Sequence, residues 1–222
     1  MDTTRIAELL QPFLAPAALS PTQLKHISTY IDLLLRWNAR INLTAIRQPE
    51  EIVTRHFGES LFAARHLFPV QTAGERPTTV QAECTSLIDV GSGAGFPGLP
   101  IKIWAPDIHL TLIESNQKKA TFLREVARSL TLMNINVFHG RAEDYSNPLA
   151  QVVTLRAVER FETVLRLATR LVAPNGRLAL LIGEAQLPRT YDLTPGFKWA
   201  PPAQVPLSSS RVLAIGTIGN HL

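Results

Sequence analysis

The sequence predicts an α/β fold: a mainly parallel, seven-stranded sheet with helices on both faces, preceded by an N-terminal helical extension. Three observations predict it. From Leu87 onward, short apolar β-type runs alternate with amphipathic helical segments, the rhythm of a parallel sheet with crossover helices. The first of those runs (Leu87, Ile88, Val90) leads directly into Gly91, Gly93 and Gly95 and a proline-marked turn. Residues 1 to about 70 carry helical spacing and no strand pattern.

Within the extension, Leu24, Ile27, Tyr30, Ile31, Leu34 and Leu35 recur on one helical face. Ser20 before Pro21 suits an N-cap followed by proline in the first turn. The segment Trp37-Asn38-Ala39-Arg40-Ile41-Asn42-Leu43-Thr44 is too rich in asparagine for a helix interior. A second helical pattern covers residues 49–67, with Ile52, Val53, Phe57, Leu61, Phe62 and Ala64. Residues 71–86 lack periodicity and read as a linker, which divides the chain into an extension 1–70, a linker 71–86 and an α/β domain 87–222. In that domain, strands are expected at 87–90, 109–113, 136–139, 152–155, 178–182, 203–205 and 212–215. Helices are expected at about 117–132 and 160–171, the latter stopped by Ala173-Pro174-Asn175-Gly176.

Composition narrows the function classes. Of 222 residues, 45% are hydrophobic and 18% charged, as in a globular chain with one sizeable core. No apolar run approaches the ~18 residues of a membrane span, and Met1-Asp2-Thr3-Thr4 lacks a signal-peptide start. A single cysteine, Cys84, leaves no internal disulfide and no cysteine metal cluster. The six histidines are scattered without ligand spacing, so no metal site is expected. A cytoplasmic monomer is the expectation. The charge of +4 and pI near 9.6 lean slightly toward an anionic partner.

The glycine loop predicts a ligand. Glycines let the backbone turn tightly and approach a bound group, and the helix opening after Pro97 is expected to offer free N–H groups to an anion. A dinucleotide fingerprint G-x-G-x-x-G fails, because the sixth position from Gly91 is Phe96. The register from Gly93 through Gly95 to Gly98 starts two residues late and encloses Pro97. The form D-x-G-x-G-x-G, with Asp89 before the glycines, resembles instead the first motif of Rossmann-like class I S-adenosylmethionine methyltransferases. Glu114, 19 residues beyond Gly95 at the end of the second strand, suits ribose hydroxyls in either cofactor. An oxidoreductase using a nicotinamide cofactor, a methyltransferase of another substrate and a non-catalytic RNA-binding factor all remain open on these residues.

Several segments together resemble one family, the bacterial 16S ribosomal RNA (guanine-N7) methyltransferase G family (RsmG/GidB). They are Trp37-Asn38 with Asn42-Leu43-Thr44, Arg55-His56, residues 88–98, Glu114-Ser115 with Lys118-Lys119 and Phe122-Leu123, Arg141-Ala142-Glu143, and Arg156-Ala157. The resemblance runs from about residue 30 to 185 and implies S-adenosyl-L-methionine as cofactor and 16S rRNA of the small ribosomal subunit as partner. It implies cofactor contacts at Asp89, Gly91, Gly93, Gly95, Phe96, Glu114, Ala142, Glu143 and Arg156, with Arg156 also the catalytic candidate. Three positions depart from the family pattern: Ile182 for a lysine, Leu155 for a serine, and Gly58-Glu59-Ser60 for an apolar-Asp-Ser run. Lys118, Lys119, Arg124 and Arg128 are candidates for an RNA-facing stripe, Trp37 for packing, and Phe96 for a cleft wall.

Overall fold

The structure is a computed structural model and describes residues 1–69, 85–146, 148–156, 158 and 160–219. The linker reading at 71–86 lies outside the described residues except for Thr85 and Ser86. The elements are α1 (Thr3–Leu14), α2 (Pro21–Asn38), α3 (Pro49–Ile52), a π-helical stretch (Val53–Gly58), α4 (Glu59–Leu67), β1 (Ser86–Val90), α5 (Gly98–Trp104), β2 (His109–Glu114) and α6 (Gln117–Ser129). After them come β3 (Ile135–His139), a 3-10 turn (Ala142–Asp144), β4 (Ala150–Arg156), α7 (Phe161–Thr169) and β5 (Val172–Gly183). The chain ends in a second 3-10 turn (Glu184–Gln186), α8 (Leu187–Leu193), β6 (Phe197–Trp199), β7 (Ala203–Gln204) and β8 (Arg211–Ile218).

One sheet of eight strands runs in the order β3-β2-β1-β4-β5-β8-β6, with β7 also on β8. The first five strands are parallel and β8 is antiparallel to β5. The eighth strand is β6, too short at three residues to show a period-2 signal. β5 also starts earlier than expected. Val172 pairs with Ala150 before an irregularity, so Pro174-Asn175-Gly176 bulges within the strand instead of preceding it.

Strand alternation divides the interior into two layers. Leu87, Leu110, Leu112, Val152 and Leu181 face one core, while Ile88, Val90, Ile113, Val153, Leu155 and Ile182 face the other. The first core is completed by the N-terminal helices together with α5 and α6, the second by α7 and α8. The N-terminal helices are therefore one layer of the sandwich and share its core. Leu155 and Ile182 sit in the second core, at 1% and 3% exposure, so their apolar side chains bury surface there.

Local capping sets the helix starts. Ser20 and Gln23 form a capping box around α2, and the Gln23 side chain also donates to the carbonyl of Ile103 at 2.9 Å, tying α2 to α5. The helix expected over 49–67 is continuous but changes to π geometry over Val53–Gly58. The wider turn presents Arg55, His56 and Glu59 toward the sheet's carboxyl edge. Gly58 fits there because the ring of Phe13 occupies the space a Cβ would need, 2.6 Å away.

Candidate active site

The strand order reverses direction between β1 and β4, and a cleft opens beyond their carboxyl ends. Its volume is about 720 Å³, ample for a nucleoside-sized ligand. Gly91, Gly93, Phe96, Glu114, Ala142, Glu143 and Arg156 all line it, brought together from four different strand ends. Gly183, the last residue of β5, and Glu184 after it are not among its walls.

Two residues read as cofactor contacts take other places. Asp89 lies on the opposite strand face from Ile88 and Val90 and is fully buried. Its carboxylate accepts from the Thr154 hydroxyl at 2.8 Å and from the Gly98 N–H at 3.3 Å. It braces the loop from beneath. The first N–H of α5 is thus spent on Asp89, which corrects the expectation that this helix end faces an anion. Gly95 is also outside the cleft, packed under Tyr30, Leu99 and Leu123.

Burial pushes the Asp89 carboxyl up to about 6, against the pull of its hydrogen bonds. A folded-state value above the unfolded one means that the native protein holds a proton the unfolded chain has released. The stabilisation is present below about pH 4 and lost as pH rises through about 6. In urea titrations, the stability of wild type relative to Asp89→Asn is expected to fall by about 2 kcal/mol from pH 4 to 6.5 and to change little above that. A constant difference across that window would show that Asp89 is ionised throughout.

At the other end of β2, Glu114 turns its carboxylate inward. Oε2 accepts from the Gly93 N–H at 2.8 Å and Oε1 from the Asn116 N–H at 2.7 Å. The cap of α6 is Asn116, whose side chain accepts from Lys118 N and Lys119 N, so Glu114 is not needed as a cap. A carboxylate has about four lone-pair sites, and two of them remain for a ligand.

The third wall comes from the N-terminal layer. Asn38 closes α2, accepting from Leu43 N and Thr44 N and donating to the carbonyl of Thr44. Thr44 meets His56 Nε2 at 2.7 Å. His56 stacks on Phe96 (4.7 Å between centroids), and Phe96 stacks on Tyr30 at 5.5 Å on its other face. Tyr30 donates its hydroxyl proton to the carbonyl of Ala94 in the glycine loop. The W-N…N-L-T, R-H and G-F-P-G segments are therefore parts of one contact chain.

Arg156 closes that chain. Its guanidinium bonds Glu59 Oε2 (3.1 Å), the carbonyl of Arg55 (2.7 Å) and His56 Nδ1 (3.2 Å). Arg211 bonds the same Glu59 oxygen at 3.0 Å. Burial, then the cations of Arg156, Arg55 and Arg211, push His56 down to about 3, so its ring is neutral at working pH. Sequence reasoning noted Glu59 only as a departure and assigned Arg211 no role. They lie 152 residues apart, and no local pattern links them.

The cleft is basic on balance. Lys119, Arg141 and Arg160 line it without an ion-pair partner among the described residues, beside the acids Glu114 and Glu143. The expected lysine–arginine stripe divides: Lys119 faces the cleft, and Lys118 lies in a separate groove with Arg36, Trp37 and Arg40. Arg124 instead donates to the carbonyl of Val137 at 3.1 Å. Trp37 packs its ring 5.6 Å from Phe122. Ala157, beside Arg156, lies outside the described residues. No helix among them is long and apolar enough to cross a membrane.

Comparison with known proteins bears on the fold and the family. Among solved structures, the ribosomal protein L11 methylase of Lactobacillus delbrueckii subsp. bulgaricus aligns with a TM-score of 0.57 at 10% identity, covering 75% of this chain and 79% of that one. M. jannaschii TYW2, solved in complex with AdoMet, aligns at 0.55 with 12% identity, covering 81% and 78%. These likenesses identify the fold as that of Rossmann-like methyltransferases. A ribosomal RNA small subunit methyltransferase G of Streptococcus pyogenes serotype M12 is 37% identical over 173 residues, 76% of this chain and 68% of that protein. The family model for rRNA small subunit methyltransferase G matches residues 23–192. The chain belongs to the rRNA small subunit methyltransferase G family.

Proposed function

We propose that the cleft binds S-adenosylmethionine and directs its methyl group to N7 of a guanine in 16S ribosomal RNA, the enzyme working as a monomer in the cytoplasm. The observation that carries the reading is Glu114: a carboxylate at the second strand end, fixed by two backbone N–H groups, with capacity left for the two hydroxyls of a ribose. Bound there, S-adenosylmethionine supplies an activated methyl group whose donor leaves as a neutral thioether.

The chain's own residues then have distinct tasks. Gly91 and Gly93, at φ of +69° and +57°, carry the loop past the ligand, and Ala142 and Glu143 border the adenine side. Phe96, immobilised between Tyr30 and His56, walls the cleft and excludes water. Arg156 is a positioning residue, because its guanidinium is already committed to Glu59, Arg55 and His56. Guanine N7 is an unprotonated lone pair at neutral pH, so the reaction calls for neither a general base nor a metal. Aligning N7 with the methyl group is the main requirement, and positioning of this kind supplies roughly 7–11 kcal/mol. Lys119, Arg141 and Arg160 offer positive charge to the phosphates of an unstacked nucleotide.

The test is to incubate 30S particles and naked 16S RNA from a deletion strain with labelled cofactor and map 7-methylguanosine. Label at another atom, or in protein, would overturn the reading. Glu114→Ala is expected to weaken S-adenosylmethionine binding by about 3 kcal/mol, roughly 100-fold, read by calorimetry. Unchanged affinity would place the cofactor elsewhere.

A further inference from the structure

Hydrogen-bond directions around His56 determine what Thr44 is able to do. Arg156 Nη1 and Nη2 both stand 3.2 Å from His56 Nδ1, and a guanidinium has only donors. Nδ1 therefore accepts, and in the neutral ring the proton sits on Nε2. That N–H points at Thr44 Oγ1, 2.7 Å away, and donates to it. The backbone N–H of Ile46 donates to the same oxygen at 3.1 Å. Both acceptor positions of the Thr44 hydroxyl are thus filled, and its own proton is the one function left. No acceptor among the described residues takes that proton, and Thr44 lines the cleft beside His56. The Asn38 bonds hold its backbone in place.

We propose that Thr44 is a one-way hydrogen-bond donor that reads O6 of the target guanine and so separates guanine from adenine at the methylated edge. The inference rests on the guanine-N7 reading above. Along that edge guanine presents N7 and O6, both acceptors, whereas adenine presents N7 beside an amino donor. With N7 facing the incoming methyl group, the substituent at position 6 is the neighbouring group that distinguishes the purines. O6 accepts the Thr44 proton. An adenine amino group meets a hydroxyl with no free lone pair, so two donors face each other and both stay unsatisfied. Without the Arg156 contact the His56 tautomer is released, and Thr44 then accepts as readily as it donates.

The experiment measures single-turnover methylation of RNA carrying either guanine or 2-aminopurine at the target nucleotide; 2-aminopurine keeps N7 and lacks O6. Wild type is compared with Thr44→Val and Thr44→Ser. Thr44→Val is expected to slow methylation of guanine roughly 10–100-fold with unchanged cofactor affinity, and Thr44→Ser to recover most of the rate. Wild type is expected to lose a similar factor on 2-aminopurine, and Thr44→Val to lose little more. Multiplying losses, or an unaffected rate in Thr44→Val, would overturn the role of Thr44 while 7-methylguanosine formation upholds the guanine reading. Loss of cofactor binding in both variants would assign Thr44 to the scaffold and overturn the proposal. Wild-type label away from guanine N7 would overturn both readings.

Discussion

Glu59→Gln is expected to destabilise the protein by about 3–5 kcal/mol, because one buried carboxylate neutralises two arginines. Its side chain is 4% exposed, and those of Arg156 and Arg211 are 10% and 23% exposed. An amide keeps the size of the group and removes the charge, so two cations remain in a poorly solvated place. Arg211 retains some water, which argues for the lower half of the range. Denaturant midpoints of wild type, Glu59→Gln and Glu59→Asp make the measurement: the aspartate, shorter but charged, is expected to lose less than the glutamine. Equal losses would mean that reach and packing, not charge, determine the effect. Removing all three charges, with Glu59→Leu, Arg156→Met and Arg211→Met combined, is expected to return much of the stability. It would not return methyl transfer, since His56 and Phe96 lose the partner that orients them.

Gly95→Ala is expected to cost about 3 kcal/mol and lower the melting temperature by roughly 10 °C. The residue sits at φ +91°, and a Cβ there would collide with the Tyr30 hydroxyl and stand 2.6 Å from Leu99 Cδ1. Tyr30 is fully buried and anchors α2 to the loop, so it cannot swing away cheaply. Gly93, two residues earlier, makes the contrast. Its φ is +57°, but the nearest atom to a Cβ is 3.8 Å away, in the open cleft. Gly93→Val is therefore expected to lose only the backbone strain of a side chain at positive φ, about 1–2 kcal/mol and less than Gly95→Ala, and to weaken cofactor binding as well. Thermal scans with and without S-adenosylmethionine separate the two cases. A large loss of stability in Gly93→Val, or none in Gly95→Ala, would contradict the division of the loop into a ligand side and a packing side.

That division was not legible in the motif. The glycine spacing after an apolar strand announced a tight loop over a ligand, and Glu114 announced itself by lying at the next strand end. Both readings use only local periodicity and distance along the chain. The Asp89 carboxylate and Gly95 share the motif's letters, yet one braces α5 and the other receives Tyr30. Which face of the loop each residue takes depends on α2 packing against it, and α2 is remote in sequence. Similarly, the alternation of strands and helices marked the parallel core of the sheet. Strand β6, three residues long, carries too little pattern to be read, and the π stretch differs from an α-helix by hydrogen-bond register alone.

Fold class, the place of the cleft and the kind of ligand all follow from short-range features: apolar period, glycine spacing and an acid after a strand. These are properties of a few consecutive residues, and a chain carries them before it folds. Glu59 with Arg156 and Arg211, the Tyr30–Phe96–His56 stack and the Thr44 donor arise only when four separate segments meet. Their chemistry rests on burial and on which nitrogen faces which oxygen. Such relations exist in three dimensions alone, because desolvation and hydrogen-bond direction are properties of packed neighbours and not of residue order.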